Sequence, residues 1–246
     1  MPTRSPYVEK FDNGPGGWVA DTGIPLTVWD GVAHCYGPWT LDANHAPPGA
    51  GYLHLLMYLT TSRPAYSENL ARAGGANRFL EEENSTDLRG AHLTVRCRGR
   101  IEPTGPLCND SGFSPKWEAG EKPELLLLVQ AKTPHAGPNW VLTGQPLVLA
   151  DEWTEQTLIL TEDESQWTFL GSRRERADVY GHAPIAEVLA DVNLDLIFIL
   201  FPLSFTPINP VEDMHRAWAV HDYAIDTQRL PKGVIMFDSV RIDYPD

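Results

Sequence analysis

Basic residues are scarce in this chain: 19 Lys and Arg stand against 33 Asp and Glu, for a formal charge of −14 and a pI near 4.9. A phosphate backbone or an anionic bilayer is repelled by such a surface, so nucleic acid and membrane are excluded as expected partners. Cysteine is sparse too. Cys35, Cys97 and Cys108 are odd in number and offer no C-x-x-C spacing, which excludes a zinc ribbon or a redox motif. A single Cys97–Cys108 disulfide is neither indicated nor excluded. No apolar run approaches membrane-spanning length; residues 194–203 are too few and carry Asp195. The opening Met1-Pro-Thr-Arg-Ser-Pro-Tyr7 has no apolar stretch that could serve as a signal peptide, so a cytoplasmic protein is expected, or a secreted one if a leader was removed. H-E-x-x-H, G-x-S-x-G, P-loop and dinucleotide fingerprints are all missing.

What is present is apolar content and punctuation. With 42% hydrophobic residues and eight tryptophans the chain is globular, with ample material for a core, and its acidic surface favours solubility. Short apolar or alternating stretches recur at roughly ten-residue spacing with Gly and Pro between them, the pattern of a β-sandwich. Strands are expected at residues 7–11, 18–20, 24–30 and 32–39, the last two forming a hairpin around Asp30-Gly31. Residues 51–59, 124–132 and 194–201 are nearly continuous in apolarity and read as strands covered on both faces. Residues 92–100 alternate, with Leu93, Val95 and Cys97 inward and Thr94, Arg96, Arg98 and Arg100 outward. Further strands are expected at 140–142 and 154–161. One short helix is expected at 184–190, where Pro184 suits a first turn and Ile185, Val188 and Leu189 make one stripe. Residues 215–224 read as a strand or a short amphipathic piece. Residues 61–89 read as an extended insertion or surface loop, with Gly74-Gly75 and the acidic run Glu81 to Glu83. No linker, repeat or low-complexity tract interrupts residues 1–246, so one domain is expected.

The closing stretch, 232–244, reads as a strand apolar enough that it has to be zipped into a sheet rather than left as an edge. Read with period two, it puts Val234, Met236, Asp238, Val240, Ile242 and Tyr244 on one face. A carboxylate in that company must be paired, hydrogen-bonded or bound to a cation.

The opening Lys10-Phe-Asp-Asn-Gly-Pro-Gly-Gly-Trp18 and the closing Val234-Ile-Met-Phe-Asp-Ser-Val-Arg-Ile242 together resemble the two ends of galactose-binding-like jelly rolls, the fold of many bacterial carbohydrate-binding modules. The resemblance spans residues 8–244. It implies that the first and last strands lie close together and hold a structural calcium, with Asp12 and Asp238 as candidate ligands. Calcium takes six to eight hard oxygens, which carboxylates and the carbonyls of the Gly-rich turn 13–17 could supply. The alternative is that Asp12 caps a turn and Asp238 pairs with a basic side chain.

Sugar rings stack their C–H faces on aromatics, so Trp29, Tyr36, Trp39, Trp117 and Trp140 are the candidate ligand-binding rings, against the alternative that each packs in the core or its rim. Arg96 and Arg98, with Arg100, concentrate positive charge on one strand face. They would bind an acidic ligand such as a uronate by bidentate contacts, or else pair with the abundant acids across the sheet. Among the eight histidines, His34 shares a strand face with Tyr36, a base and acid pair suited to a lyase acting on uronic-acid sugars. His215 and His221 lie near Glu212, Asp213 and Asp222, a set that could hold a transition metal. The expectation is an all-β antiparallel sandwich of galactose-binding-like jelly-roll type that binds a carbohydrate or related small molecule and carries a structural calcium. A polysaccharide lyase or glycoside hydrolase on the same sandwich, and an oligomeric structural subunit, are the alternatives.

Overall fold

The computed structural model describes residues 4–20, 26–37, 41–42, 52–63, 65–66, 76–102, 113–115, 124–134, 138–169, 183–203, 205–207 and 232–245. In chain order the strands are β1 (Tyr7–Glu9), β2 (Trp18–Ala20), β3 (Thr27–Trp29), β4 (Val32–Tyr36), β5 (Leu41–Asp42), β6 (Tyr52–Thr60) and β7 (His92–Glu102). After them come β8 (Phe113–Pro115), β9 (Glu124–Gln130), β10 (Asn139–Val141), β11 (Thr154–Ile159), β12 (Thr168–Phe169), β13 (Asp195–Leu203), β14 (Phe205–Pro207) and β15 (Lys232–Asp243). Every pairing between them is antiparallel. Two short helices, α1 (Arg78–Glu81) and α2 (Ile185–Ala190), complete the elements together with a 3-10 turn at Glu164–Gln166. The fold is an all-β sandwich.

Sheet A runs β11-β7-β15-β4-β3, with β1 on the same edge of β15 as β4. Sheet B runs β12-β10-β9-β13-β6-β2, with β5 also on β6. A small pair, β8 with β14, stands apart. The last strand is thus zipped between β7 and β4, and the first strand lies beside it, Tyr7 opposite Ile242 and Glu9 opposite Val240. The β3–β4 hairpin turns at Asp30-Gly31 with φ of 49° and 72°, left-handed values that Asp tolerates and Gly adopts freely.

The core lies between the sheets. From sheet A, Leu93, Val95, Cys97, Ile235 and Phe237 point inward, all fully buried. From sheet B, Trp18, Leu59, Leu127, Val129 and Phe198 meet them. Phe198 joins the layers, its ring 5.1 Å from Phe237 and 5.6 Å from Trp18. Burying a side chain of this size contributes roughly 1.5–3 kcal/mol. β9 and β13 are buried on both faces, with Leu125 to Val129 at 1% exposure or less, as their unbroken apolar runs predict.

Two readings of the sequence are corrected. Residues 76–89 do not form a surface loop. Asn77 caps α1, accepting from Leu80 N at 3.1 Å and donating to the Thr60 carbonyl at 2.8 Å. The helix then drives Phe79 and Leu80 into the core beside Tyr7, with Leu88 following.

The second correction concerns β15. Its register with β7 shifts between Phe237 and Ser239, so Asp238 is an extra, unpaired residue. This β-bulge reverses the alternation: Ile235 and Phe237 are buried before it, Val240 and Ile242 after it. Asp238 therefore does not share a face with the buried Val240 and Ile242. It stands on the outer side of sheet A. The bulge falls where β4 leaves the edge of β15 and β1 takes over.

Candidate functional site

The outer face of sheet A collects most of the chemistry that the described residues expose. Cross-strand pairing lays down one continuous row, Thr27 opposite His34, His34 opposite Met236, and Met236 opposite Arg98. Beyond Arg98 comes Trp153, immediately before β11, its ring centroid 4.7 Å from the Arg98 guanidinium and 5.4 Å from that of Arg96. Residues directly opposite in an antiparallel sheet lie about 5 Å apart, so this row spans more than one sugar ring.

One end of the face is aromatic. Trp29 is 67% exposed and Tyr36 57% exposed, unusual values for large rings on a strand. His34 bridges them, with its centroid 6.2 Å from Trp29 and 5.6 Å from Tyr36, the latter nearly parallel at 15°. The Tyr36 hydroxyl lies 3.2 Å from His34 Nδ1. Burial, with Arg98 adding to it, holds the His34 imidazole below the usual histidine range, so the ring is neutral at pH 7.

The other end is cationic. Arg96 Nη1 donates to Asp238 Oδ2 at 3.0 Å, an ion pair that the bulge makes available by turning Asp238 outward. Among the described residues Arg98 has no such acid; its Nη2 reaches the Met236 sulfur at 3.9 Å, and its Nε is buried without a hydrogen-bond partner.

Of the residues singled out from sequence, Trp29, Tyr36, Arg96 and Arg98 are thus brought together on one face. Trp140 is not among them. It is 5% exposed in sheet B, its ring centroid is 4.8 Å from that of Phe169 at a tilt of 45°, and its Nε1 donates to the Ala183 carbonyl at 3.0 Å. It packs in the core. Trp39 and Trp117 lie outside the described residues, as do His215, His221 and the acids near them. Met236 and Trp153 were missed. Met236 read as an apolar strand residue, and Trp153 meets the arginines only through the pairing of β11 with β7.

The two candidate calcium ligands each lie beside another group. Asp12 is an exposed residue beside the turn at Gly31, and Asp238 is held by Arg96. Among the described residues no three His, Cys, Asp or Glu side chains are grouped to hold a metal. At the chain ends one hard oxygen does lack a partner. Glu9 is 1% exposed; its Oε1 accepts from Phe11 N at 2.7 Å, while Oε2 is unsatisfied against Gly16. A Cβ at Gly16 would overlap that oxygen, so only glycine admits the approach. Arg78 lies 3.6 Å from Oε1 and supplies the compensating charge. One carboxylate oxygen beside a guanidinium falls well short of six to eight oxygens.

Cys35 and Cys97 are buried free thiols, pushed up by burial to about 12 and about 11, and neither is a nucleophile. Cys108 lies outside the described residues. Among the described residues no helix is long and apolar enough to cross a membrane.

No family model matches this chain, and no curated protein matches its sequence. Among solved structures it is similar to the L4b domain of human laminin alpha-2, at 13% identity over 68% of this chain and 67% of that one, with a TM-score of 0.30. It is also similar to Rv0315, an immunostimulatory antigen and pseudo beta-1,3-glucanase of Mycobacterium tuberculosis, at 12% identity over 98% of both chains, with a TM-score of 0.30. Overlap this loose leaves the functional question to the residues themselves.

Proposed function

We propose that the outer face of sheet A binds carbohydrate. The observation that carries this is the exposed strip Trp29–His34–Tyr36, two large rings left bare on a regular sheet and linked by a third. Rings on a strand normally cost free energy when left in water; here they form a rigid apolar platform with polar edges, the surface that stacks on the C–H face of a pyranose. Arginines along the same face offer donors for hydroxyls or acids. The resemblance of the two chain ends to galactose-binding-like modules fits this reading, and the bound molecule is then an oligosaccharide laid across β3, β4, β15 and β7.

A glycan array with melting-temperature readout tests it. Binding to at least one polysaccharide class is expected, and Trp29→Ala together with Tyr36→Ala is expected to weaken it by about 10-fold or more, about 1.4 kcal/mol. A chain that binds no glycan, or whose binding survives both substitutions, rules the reading out.

The contact between the Tyr36 hydroxyl and the neutral His34 favours one second reading, an eliminating enzyme on the same face. His34 would take the C5 proton of a uronate, the C4–O bond would break to leave a C4=C5 double bond, and Tyr36 would protonate the departing oxygen. Unsaturated products from an acidic polysaccharide distinguish this from binding alone.

A further inference from the structure

Arginines in so acidic a chain find acids readily. Arg89 holds Asp87, Arg241 holds Asp243, Arg96 holds Asp238, and Arg78 lies beside Glu9. Against that background Arg98 stands out. It belongs to the same strand as Arg96, faces the same way, and has no carboxylate partner among the described residues. It is half-buried between Met236 and the Trp153 ring, with a buried and unsatisfied Nε. Holding a guanidinium partly out of water without an anion is unfavourable, and the indole face recovers only part of that cost. With 33 acids in the sequence, one substitution nearby would have supplied a partner.

We infer that Arg98 is an anion-binding subsite of the outer face and that the ligand carries its own carboxylate, as a uronic-acid oligosaccharide does. This rests on the carbohydrate reading above. The order of groups along the row gives the ligand its polarity: Trp29, His34 and Tyr36 take the apolar face of one sugar, Met236 lies under the next contact, and Arg98 receives the acid. Trp153 lies against the Arg98 guanidinium, a planar group whose N–H donors match the paired oxygens of a carboxylate. Arg96 does not duplicate this role, because Asp238 already pairs with it beside Trp153. A sulfate ester presents the same chemistry of paired anionic oxygens, and the experiment separates the two sources.

Calorimetric titration of the full chain uses three probe sets: homo-oligouronates of galacturonate, glucuronate and mannuronate, the same oligomers with their carboxyls reduced to alcohols, and sulfated neutral oligosaccharides. The expected result is that one oligouronate binds at least about tenfold more tightly than its reduced counterpart, the size of a charged hydrogen bond. Arg98→Gln should close that gap by weakening the oligouronate far more than its reduced counterpart, with the melting temperature nearly unchanged. Arg98→Lys, which keeps the charge and the stem, should recover part of the gap. Equal affinity for the two oligomers, or equal weakening of both by Arg98→Gln, overturns the inference and leaves carbohydrate binding standing. Preference for the sulfated probe overturns the carboxylate assignment. Failure of all three to bind overturns both readings together. A drop in melting temperature with no change in discrimination means that Arg98 serves only to stack on Trp153, and the subsite does not exist.

Discussion

On the outer side of sheet B, Leu126, Leu128, Val141, Ile197 and Ile199 are each 6% exposed or less and form an apolar cluster of their own, with Leu55 and Tyr58 against it. On the outer side of sheet A, Trp29 and Tyr36 stand in water beside His34, Arg96 and Arg98. Both faces belong to antiparallel sheets that share one core, so backbone geometry does not separate them. Side-chain choice does. Sheet B is built from runs with no polar phase, and it is buried on both faces. Sheet A alternates except at the Asp238 bulge, and it keeps one face for solvent and whatever solvent carries.

The largest test of that difference is to place a charge on each outer face. Leu128→Asp buries an unpaired carboxylate in the second cluster and is expected to cost on the order of 4 kcal/mol or more, enough to unfold a protein of ordinary stability. Thr94→Asp, on the outer face of sheet A, loses only the contact between its Oγ1 and that of Thr157, 2.9 Å apart, and should cost about 1 kcal/mol or less. Urea denaturation measures both. Equal losses would mean that the two faces are not different environments.

A pair of tryptophans sharpens the same contrast at smaller scale. Trp140→Ala leaves a cavity beside Phe169 and strands the Ala183 carbonyl, so about 3–5 kcal/mol is expected. Trp153→Ala removes a half-exposed ring whose contacts are cations, and about 1–2 kcal/mol is expected. Its effect should appear instead in ligand affinity, because Arg98 loses the surface that orients it. If Trp153→Ala destabilises as much as Trp140→Ala, Trp153 is a core residue and the row across sheet A has no cationic end.

How much of this was legible follows the same division. The phase of Leu93, Val95 and Cys97 was readable because burial on one face imposes period two, and the runs in β9 and β13 because burial on both faces removes it. The helix at α2 was readable from Pro184 and a single stripe. Asp238 defeated the same logic, since one unpaired residue in β15 reverses every facing beyond it and leaves no mark in composition. Phe79 and Leu80 were hidden because a four-residue helix is too short to show a period. Much of the site could be seen as residue types suited to binding: Trp29, His34, Tyr36, Arg96 and Arg98. Its continuation through Met236 to Trp153 as one row exists only through the register of the strands, which no local pattern encodes.

The smallest expected effect sets a buried acid against exposed ones. Burial raises the Glu9 carboxyl above the ordinary glutamate range, and this outweighs the Phe11 N–H and Arg78, which pull it down. The folded state therefore holds a proton at Glu9 at pH values where the unfolded chain has released it. Stability changes with pH as the difference in bound protons, unfolded minus folded, so Glu9 makes the protein less stable as pH climbs from the ordinary glutamate value through the raised one. Asp87 and Asp243 do the opposite: hydrogen bonds from Arg89 and Arg241 hold their carboxyls below the usual aspartate range, and their contribution is lost as pH falls through those lowered values. Glu9→Gln carries no titrating proton and keeps an oxygen for Phe11 N. Unfolding free energies of the two proteins, measured from acid to neutral pH, should then give a wild-type-minus-variant difference that is highest in acid, declines through the glutamate range, and levels off above it. Asp243→Asn should give a difference of the opposite slope at lower pH. A Glu9→Gln difference that rises with pH would mean that the Glu9 carboxylate is stabilised by a cation in the folded protein, with the unsatisfied Oε2 as its ligand.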